Sequence, residues 1–366
     1  MNLESLRRNK VRAAVGVLVV LAVVGGAYLV FAEQEPVEIS NAQELQQVRE
    51  NPSDNYVLVD DIYLSHIDNF EPIENFTGTF DGNGHTILNL TIDRPEMDGV
   101  GLFRTVNEDT EYFGLVDNNG VIEDIALHNV NITGSENVGG LVGINRGTVN
   151  RSYTEGDISG SRKVGGLVGA NWNEVSGSCA EVSVTGDELV GGLVGINDGF
   201  SPTVAKSYAT GDVAGRNPRT TGGLAGANAD KVRSSYAAGD VVGGGGGLVG
   251  ANVGNVHSSY ATGNVTGNGG GLFVSNDGEI EQSYATGRVT GENSGGLVKE
   301  SDGDVTNSYW DVNSTGRDDS AGGTGLTTSE MTGSAARENM KGFDFGETWR
   351  TTEDDYPRLH WEVNER

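Results

Sequence analysis

The sequence predicts an all-β fold, a right-handed parallel β-helix (β-solenoid) of roughly 24–26-residue coils, and three observations carry that expectation. Gly-Gly-Leu-Val-Gly occurs at 139–143, 165–169, 191–195 and 246–250, with near copies at 222–226, 270–273 and 295–298. Successive starts lie 26, 26, 31, 24, 24 and 25 residues apart, a period at which each unit buries its apolar face only against its neighbours. Aliphatic residues recur in register: Val149, Val175, Val204, Val232, Val256, Ile280 and Val305 in one column, Ile158, Val184, Val213, Val241, Val265 and Val289 in another. Finally, a 24-residue unit this rich in glycine and β-branched residues has no room for a helix.

Element by element, Arg7, Arg8, Lys10 and Arg12 form a basic segment, 1–12, ahead of an uncharged run at 13–32. Twenty residues at about 1.5 Å each reach about 30 Å, a bilayer core. Basic residues before the run and Glu33, Glu35 and Glu38 after it place the N-terminus in the cytoplasm and the body outside. A cleaved signal peptide ending at Ala32 competes; the length of the run favours a single-pass transmembrane anchor. A linker with a short helix follows at 33–55, capped by Asn41 with Glu44 reciprocating and stopped by Pro52. The solenoid occupies 56–310. Each unit reads as three strands: one holding Gly-Gly-Leu-Val-Gly, one starting at the first aliphatic column and running into Ser-Tyr, and one holding the second column. Tight corners separate them. Leu141, Leu167, Leu193, Leu224, Leu248, Leu272 and Leu297 then stack as a buried ladder. The parity of a short bent strand leaves open whether Ser or Tyr faces inward, and strict recurrence favours Tyr153, Tyr208, Tyr236, Tyr260, Tyr284 and Tyr309 in the core. Residues 311–366, with a helix expected over 327–340 and a run of aromatics to Trp361, read as a C-terminal cap on the open end of the stack.

Net charge is −28, with 52 acidic against 24 basic residues and only six lysines. That balance argues against nucleic acid and anionic lipid as partners and fits very salty surroundings, where self-repulsion is screened. The single cysteine, Cys179, excludes an intrachain disulfide and a cysteine-based metal site.

The Gly-Gly-Leu-Val-Gly units followed by Ser-Tyr-Ala-Thr-Gly (207–211, 259–263) resemble the GLUG-motif repeats of exported bacterial and archaeal proteins. The leader Phe-Thr-Gly-Thr-Phe-Asp-Gly-Asn-Gly-His-Thr-Ile (76–87) and the tail from Ser308-Tyr-Trp-Asp through Gly-Gly-Thr-Gly-Leu-Thr-Thr (322–328) resemble that family's first coil and C-terminal cap. The likeness spans roughly residues 40–361. It implies a pectate-lyase-like β-helix on a cell surface, and the acidic balance suggests a salt-loving archaeon. Two departures stand out. Cys179 replaces a Tyr, as a small buried hydrophobe if that column faces inward, and extra residues separate Gly101-Leu102-Phe103 from Gly114-Leu115-Val116. Some secreted peptidases carry such units, but no His-Glu-x-x-His is present here, so nothing catalytic carries over.

Candidate chemistry is sparse. His66, His85, His128, His257 and His360 lack ligand spacing, and the paired acids Asp60-Asp61, Asp318-Asp319 and Asp354-Asp355 read as solvated. One column runs Asp157, Ser183, Asp212, Asp240, Asn264, Arg288, Asn313, and Ser183 and Arg288 break it as a calcium ladder. Asn75, Asn89, Asn131, Asn150, Asn264 and Asn313 begin N-glycosylation sequons. No catalytic, cofactor-binding or metal residue is assigned. The expectation is a membrane-anchored, glycosylated surface solenoid with a structural or adhesive role, its partners surface glycans or other surface proteins. The competing reading is a carbohydrate-active enzyme, a polysaccharide lyase or glycoside hydrolase on the same scaffold.

Overall fold

The structure, a computed structural model, describes residues 19–23, 26–30, 35–107, 120–199, 201–351 and 353–363. From Val37 onward the chain winds as a parallel β-solenoid whose coils hydrogen-bond in register along four faces. The first face is a 6-stranded sheet from Glu136–Gly139 to Gly269–Gly270, and the second an 8-stranded sheet from Phe103–Val106 to Val298–Ser301. The third is an 11-stranded sheet from Val37–Ile39 to Asp304–Thr306. The fourth is a 15-stranded sheet from Ile62–Tyr63 to Thr324–Leu326. Equivalent repeat positions pair throughout: Val142 with Val168, Val168 with Val194, Val194 with Ala225, Ala225 with Val249.

Each coil has more corners than the three-strand reading allowed. Gly-Gly-Leu-Val-Gly is two strands with a bend between them, the first ending at its first glycine and the second starting after Leu. The bend turns the leucine column inward, and Leu102, Leu141, Leu167, Leu193, Leu224, Leu248, Leu272 and Leu297 are fully buried. A second corner sits just before each Ser-Tyr pair, where Arg151, Lys206, Ser234, Ser258, Gln282 and Asn307 take left-handed backbone angles of 44–49° in φ. The coil is thin where Gly-Gly faces Ser-Tyr-Ala. A Cβ on Gly192 would lie 2.2 Å from the Gly223 carbonyl and 2.8 Å from Ala209 Cβ, so the two motifs require each other.

The residue two past each Gly-Gly-Leu-Val-Gly is a buried Asn, and these amides form a ladder that the sequence reading did not single out. Asn145 Nδ2 donates to Asn171 Oδ1 at 2.8 Å, and the pattern runs through Asn197, Asn228, Asn252 and Asn276 to Ser301. Each Nδ2 also donates to a backbone carbonyl, that of the turn two residues on for Asn171, Asn228, Asn252 and Asn276, and that of a next-coil residue, Glu174 or Lys231, for Asn145 and Asn197.

Insertions are absorbed only at corners. The 31-residue interval is taken up at 198–202 and at 216–220, where Pro218–Thr220 forms a 3-10 turn. Gly101-Leu102-Phe103 holds the place of a repeat motif, since Phe103 pairs with Val142. The early insertion therefore falls at 108–119, which lies outside the described residues together with the Gly114-Leu115-Val116 copy.

Two local expectations are modified. Ala42–Gln47 is helical and buries Ala42, Leu45 and, in the following 3-10 turn, Val48; Asn41 caps it, but Glu44 reaches back to the Ser40 N–H. The helix expected over 327–340 is two helices, Thr328–Met331 and Ala335–Asn339, broken at Gly333, whose φ is 58°. The anchor run departs further. Val19–Val23 and Gly26–Val30 pair as antiparallel strands, a pairing that their β-branched content favours. The rest of 13–32 lies outside the described residues, among which no helix is long and apolar enough to cross a membrane.

The ladders make a quantitative claim. Leu193→Ala or Leu248→Ala should cost about 2–5 kcal/mol through lost burial and a residual cavity. Asn228→Ala leaves the Asn197 amide without its acceptor and should cost about 1–3 kcal/mol. Asp212→Ala removes only an exposed acceptor for the Asp240 N–H and should stay within about 1 kcal/mol. Equilibrium unfolding at fixed salt checks this; a neutral Asn228→Ala beside a costly Asp212→Ala would show the wrong column to be structural.

Candidate functional site

The Ser-Tyr-Ala segment resolves the parity question against the favoured reading. Ser and Ala face inward and Tyr faces outward. Ser152, Ser178, Ser207, Ser235, Ser259, Ser283 and Ser308 are buried. Each hydroxyl donates to the carbonyl two residues earlier, and each accepts from the Ser N–H of the preceding coil wherever one exists, as Ser235 Oγ does from Ser207 N at 3.2 Å. Position on the pleat thus makes a second polar ladder of the Ser column and leaves the Tyr rings on the outer face.

Those rings stack. Centroids of Tyr208, Tyr236, Tyr260 and Tyr284 are 4.9, 4.9 and 5.0 Å apart, with planes within 9° of parallel, the spacing of adjacent strands. An outward apolar column needs cover, and the C-terminal segment supplies it from the side. Met331, Met340, Phe343, Trp349 and Leu359 pack with Tyr260, Tyr284 and Tyr309, which are 2%, 1% and 6% exposed. Every covered phenol finds a partner there. Tyr284 Oη donates to the Pro357 carbonyl at 2.6 Å, Tyr309 Oη to the Lys341 carbonyl at 2.8 Å, and Tyr260 Oη to Glu362 Oε2 at 3.1 Å. Trp361 stacks near Tyr208 and Tyr236 and donates from Nε1 to the Ser234 carbonyl at 2.9 Å. Buried Asp311 ties the segment down, accepting from Asn313 N, Ser314 N, Thr328 Oγ1 and Tyr356 Oη.

The aromatics expected over the open end thus cover the flank of the last coils. Toward the N-terminus no described segment covers the same face. Tyr153, Cys179 and Tyr208 are half-buried neighbours there, so Cys179 is a partly accessible residue of the outer face and not a core hydrophobe. Around them, His128 meets Glu155, Tyr153 Oη donates to Glu181 Oε2 at 2.9 Å, and Arg151 pairs with Asp124 at 2.6 Å and Glu123 at 2.9 Å. Burial, with Glu181 accepting its hydrogen bond, pushes the Tyr153 phenol up; burial also raises Tyr208. Asp81, His85, Asp124, Arg151 and Tyr153 border a depression of about 370 Å³ on this face.

The other sequence candidates do not converge. Asp60 and Asp61 are exposed; Asp61 accepts from the Thr86 N–H and meets His85 at 3.4 Å. Asp318, Asp319, Asp354 and Asp355 are exposed as well. His66 is exposed, His257 meets Glu281 at 3.4 Å, and His360 lines a cleft beside Trp361. In the broken acidic column three side chains accept from the next backbone: Asp212 from Asp240 N, Asp240 from Asn264 N, Asn264 from Arg288 N. Its oxygens therefore already have a structural use. No group of three or more potential metal ligands occurs among the described residues. Of the sequon asparagines, Asn75, Asn131, Asn264 and Asn313 are exposed, and Asn89 and Asn150 are partly buried. Asn89 Nδ2 is engaged with Ser65 Oγ and Asn264 Nδ2 with Asp240 Oδ1.

The covering segment contains one titratable switch of known sign. Burial raises the Glu362 carboxyl, opposed by hydrogen bonds from Leu359 N and Tyr260 Oη and by Arg358 and Arg350. The folded state therefore holds this proton at pH values where the unfolded chain has released it. This contribution to stability is intact below the unfolded value and declines as pH rises through the folded one. Glu362→Gln should melt no lower than the parent at neutral pH, and the gap between them should close as pH falls below the ordinary carboxylate range. Paired melting curves across pH would reject this if the variant were less stable at pH 7 and recovered on acidification.

The family described as the GLUG motif matches residues 186–214, one coil and its corners. Halomucin of Haloquadratum walsbyi is 36% identical over 141 residues, 34% of this chain, and the chain spans about 1% of that protein's length. A Bacteroides ovatus structure, provisionally described as an immunoglobulin A1 protease, aligns with a TM-score of 0.46 at 16% identity, covering 90% of this chain and 94% of its own. The coil matched by the family pairs in register with like coils before and after it. Residues 186–214 carry the GLUG motif, and the chain folds as a parallel β-helix.

Proposed function

We propose that this chain is a cell-surface solenoid with a structural and adhesive role, held at the membrane by residues 13–32 and displayed outward into saline medium. The observation that carries the reading is the outer Ser-Tyr-Ala face: neutral ladders hold it rigid, the C-terminal segment closes one half, and the other half presents Tyr153, Tyr208 and their charged neighbours to solvent. Likeness to halomucin supports a surface setting, and the acidic balance supports a salty one. Residues 311–326 complete the fold by closing the last coil. Trp310 sits in line with the inward alanines, beneath Gly296, and Thr324–Leu326 adds a strand beside it. The proposed division is therefore basic segment 1–12, anchor 13–32, linker and helix 33–55, solenoid 56–310 and cap 311–366. Surface glycans or other surface proteins are its partners, and Asn75 and Asn131 are its most accessible glycan acceptors.

Fractionation tests the display. The body should stay with membranes, be cleaved by protease added outside, and carry glycan at Asn75 and Asn131 by mass spectrometry of the released peptides. Recovery from the medium of a chain beginning at Glu33 would replace the anchor with a cleaved signal.

Salt tests the setting. The Debye length grows from about 3 Å at 1 M to about 10 Å at 0.1 M, so carboxylate repulsion rises as salt is withdrawn. The melting temperature should fall over that range; an unchanged value would count against a saline habitat.

A further inference from the structure

The surface is overwhelmingly acidic, yet one cleft gathers cations. It has a volume of about 650 Å³ and lies where the C-terminal hairpin, Trp349–Arg350 with Arg358–Leu359, meets the solenoid corner at Lys206 and Ser234. Lys206, Arg350 and His360 line it, with Glu347 the single carboxylate among the lining residues. Lys206 is exposed and has no ion pair among the described residues. Arg350 Nε is buried with no hydrogen-bond partner among the described residues, a donor left unsatisfied even though the guanidinium feels the Glu362 carboxyl. Trp361 adds an indole ring, and Ser234 and Thr348 line the same space.

We propose that this cleft binds a negatively charged saccharide unit, its carboxylate or sulfate held by Lys206 and Arg350 and its pyranose ring against Trp361. The proposal rests on the adhesive reading above and gives it a ligand class. A guanidinium matches the fork of a planar or tetrahedral oxyanion, an indole suits the C–H face of a sugar, and hydroxyls suit its rim. The volume exceeds that of a lone inorganic anion and holds one or two sugar rings. The chain's net charge of −28 does not forbid such a ligand in molar salt, where repulsion dies within about 3 Å and only direct contacts count. Half-exposed Tyr208 and Tyr236 beside Trp361 extend the aromatic surface along the solenoid.

Calorimetric titration of the full-length chain in molar salt tests this with four probes: a hyaluronan tetrasaccharide (carboxylate), a κ-carrageenan tetrasaccharide (sulfate), maltotetraose (neutral) and inorganic sulfate. At least one anionic sugar should bind about tenfold or more tighter than maltotetraose and inorganic sulfate, and the stronger of the two identifies the anion. Lys206→Gln with Arg350→Gln should weaken it about tenfold or more, while Arg350→Lys and Trp361→Phe lose less. Melting curves certify that the variants are folded. Equal affinity for neutral and anionic sugars overturns the proposal, as does no sugar binding at all. Tight binding untouched by Lys206→Gln and Arg350→Gln but lost in Tyr153→Ala moves the ligand to the open face, sinking this site while leaving adhesion intact. Surface display is judged separately by fractionation, so the two ideas fail separately.

Discussion

The buried asparagine ladder is the constraint on which the rest depends. A side-chain amide in an apolar interior is costly unless both its ends are paired, and here each Asn donates to the next coil's side chain and to a backbone carbonyl, while its oxygen accepts from the coil before or, at Asn145, from the Gly147 N–H. That requirement fixes register absolutely: a coil displaced by one residue would bury an orphaned amide and turn its leucine outward. It also explains where the chain tolerates irregularity. The extra residues at 198–202 and 216–220 lie outside the strands carrying Asn197 and Asn228, and those two amides still meet at 2.8 Å. At the last coil Ser301 replaces Asn, accepting from Asn276 and donating to Gly303, so the ladder ends on a residue with both needs met.

With register fixed, side-chain direction on the Ser-Tyr-Ala strand follows. Ser must point in to join its own ladder, because its hydroxyl is the acceptor for the neighbouring coil's N–H. Pleat alternation then points Tyr outward and Ala inward, and the inward slot takes only a methyl because a glycine backbone stands opposite. The outward rings stack at strand spacing into an apolar ribbon too wide to leave bare along its whole length. Its cover need not reach every ring, and the half that it leaves open is the surface on which recognition can occur. The cationic cleft lies at the boundary between the two halves, where a mobile ligand and a fixed chain segment can both contact the same ribbon.

Much of this was legible in the sequence. The period, the parallel stacking, the leucine ladder, the two aliphatic columns and the Asn41 cap were readable because each depends on recurrence or on a local hydrogen bond. The parity of Ser and Tyr was not, because a two-residue strand such as Tyr208–Ala209 between left-handed and glycine corners has no alternation to read. Reading the Tyr column as core treated recurrence as evidence of burial, whereas recurrence shows only stacking, which serves an outer face equally well. The asparagine column had a signal of its own, a fixed offset from every Gly-Gly-Leu, but a buried amide is easily taken for a turn residue when Gly or Asp follows. The clasp was visible as a concentration of aromatics. Its placement on the flank was not, since it depends on contacts such as Trp361 with Ser234, 127 residues apart.

The character of these ladders bears on the medium in which the protein works. Most ion pairs among the described residues are exposed or half-exposed, as with Arg104–Glu74, Arg162–Glu188 and Arg216–Asp187, and pairs of that kind contribute little and are weakened further by salt. A chain carrying −28 cannot gain cohesion from its charges in dilute solution, where they repel, nor from its bridges in concentrated salt, where they are screened. What holds the coils together must therefore be uncharged and shielded from the solvent. Buried amide-to-amide and hydroxyl-to-amide bonds meet both conditions, and so does burial of leucine and valine, which excluded salts strengthen. The same division of labour frees the surface to be acidic, and it makes Lys206, which has no ion pair among the described residues, and the unsatisfied Nε of Arg350 conspicuous.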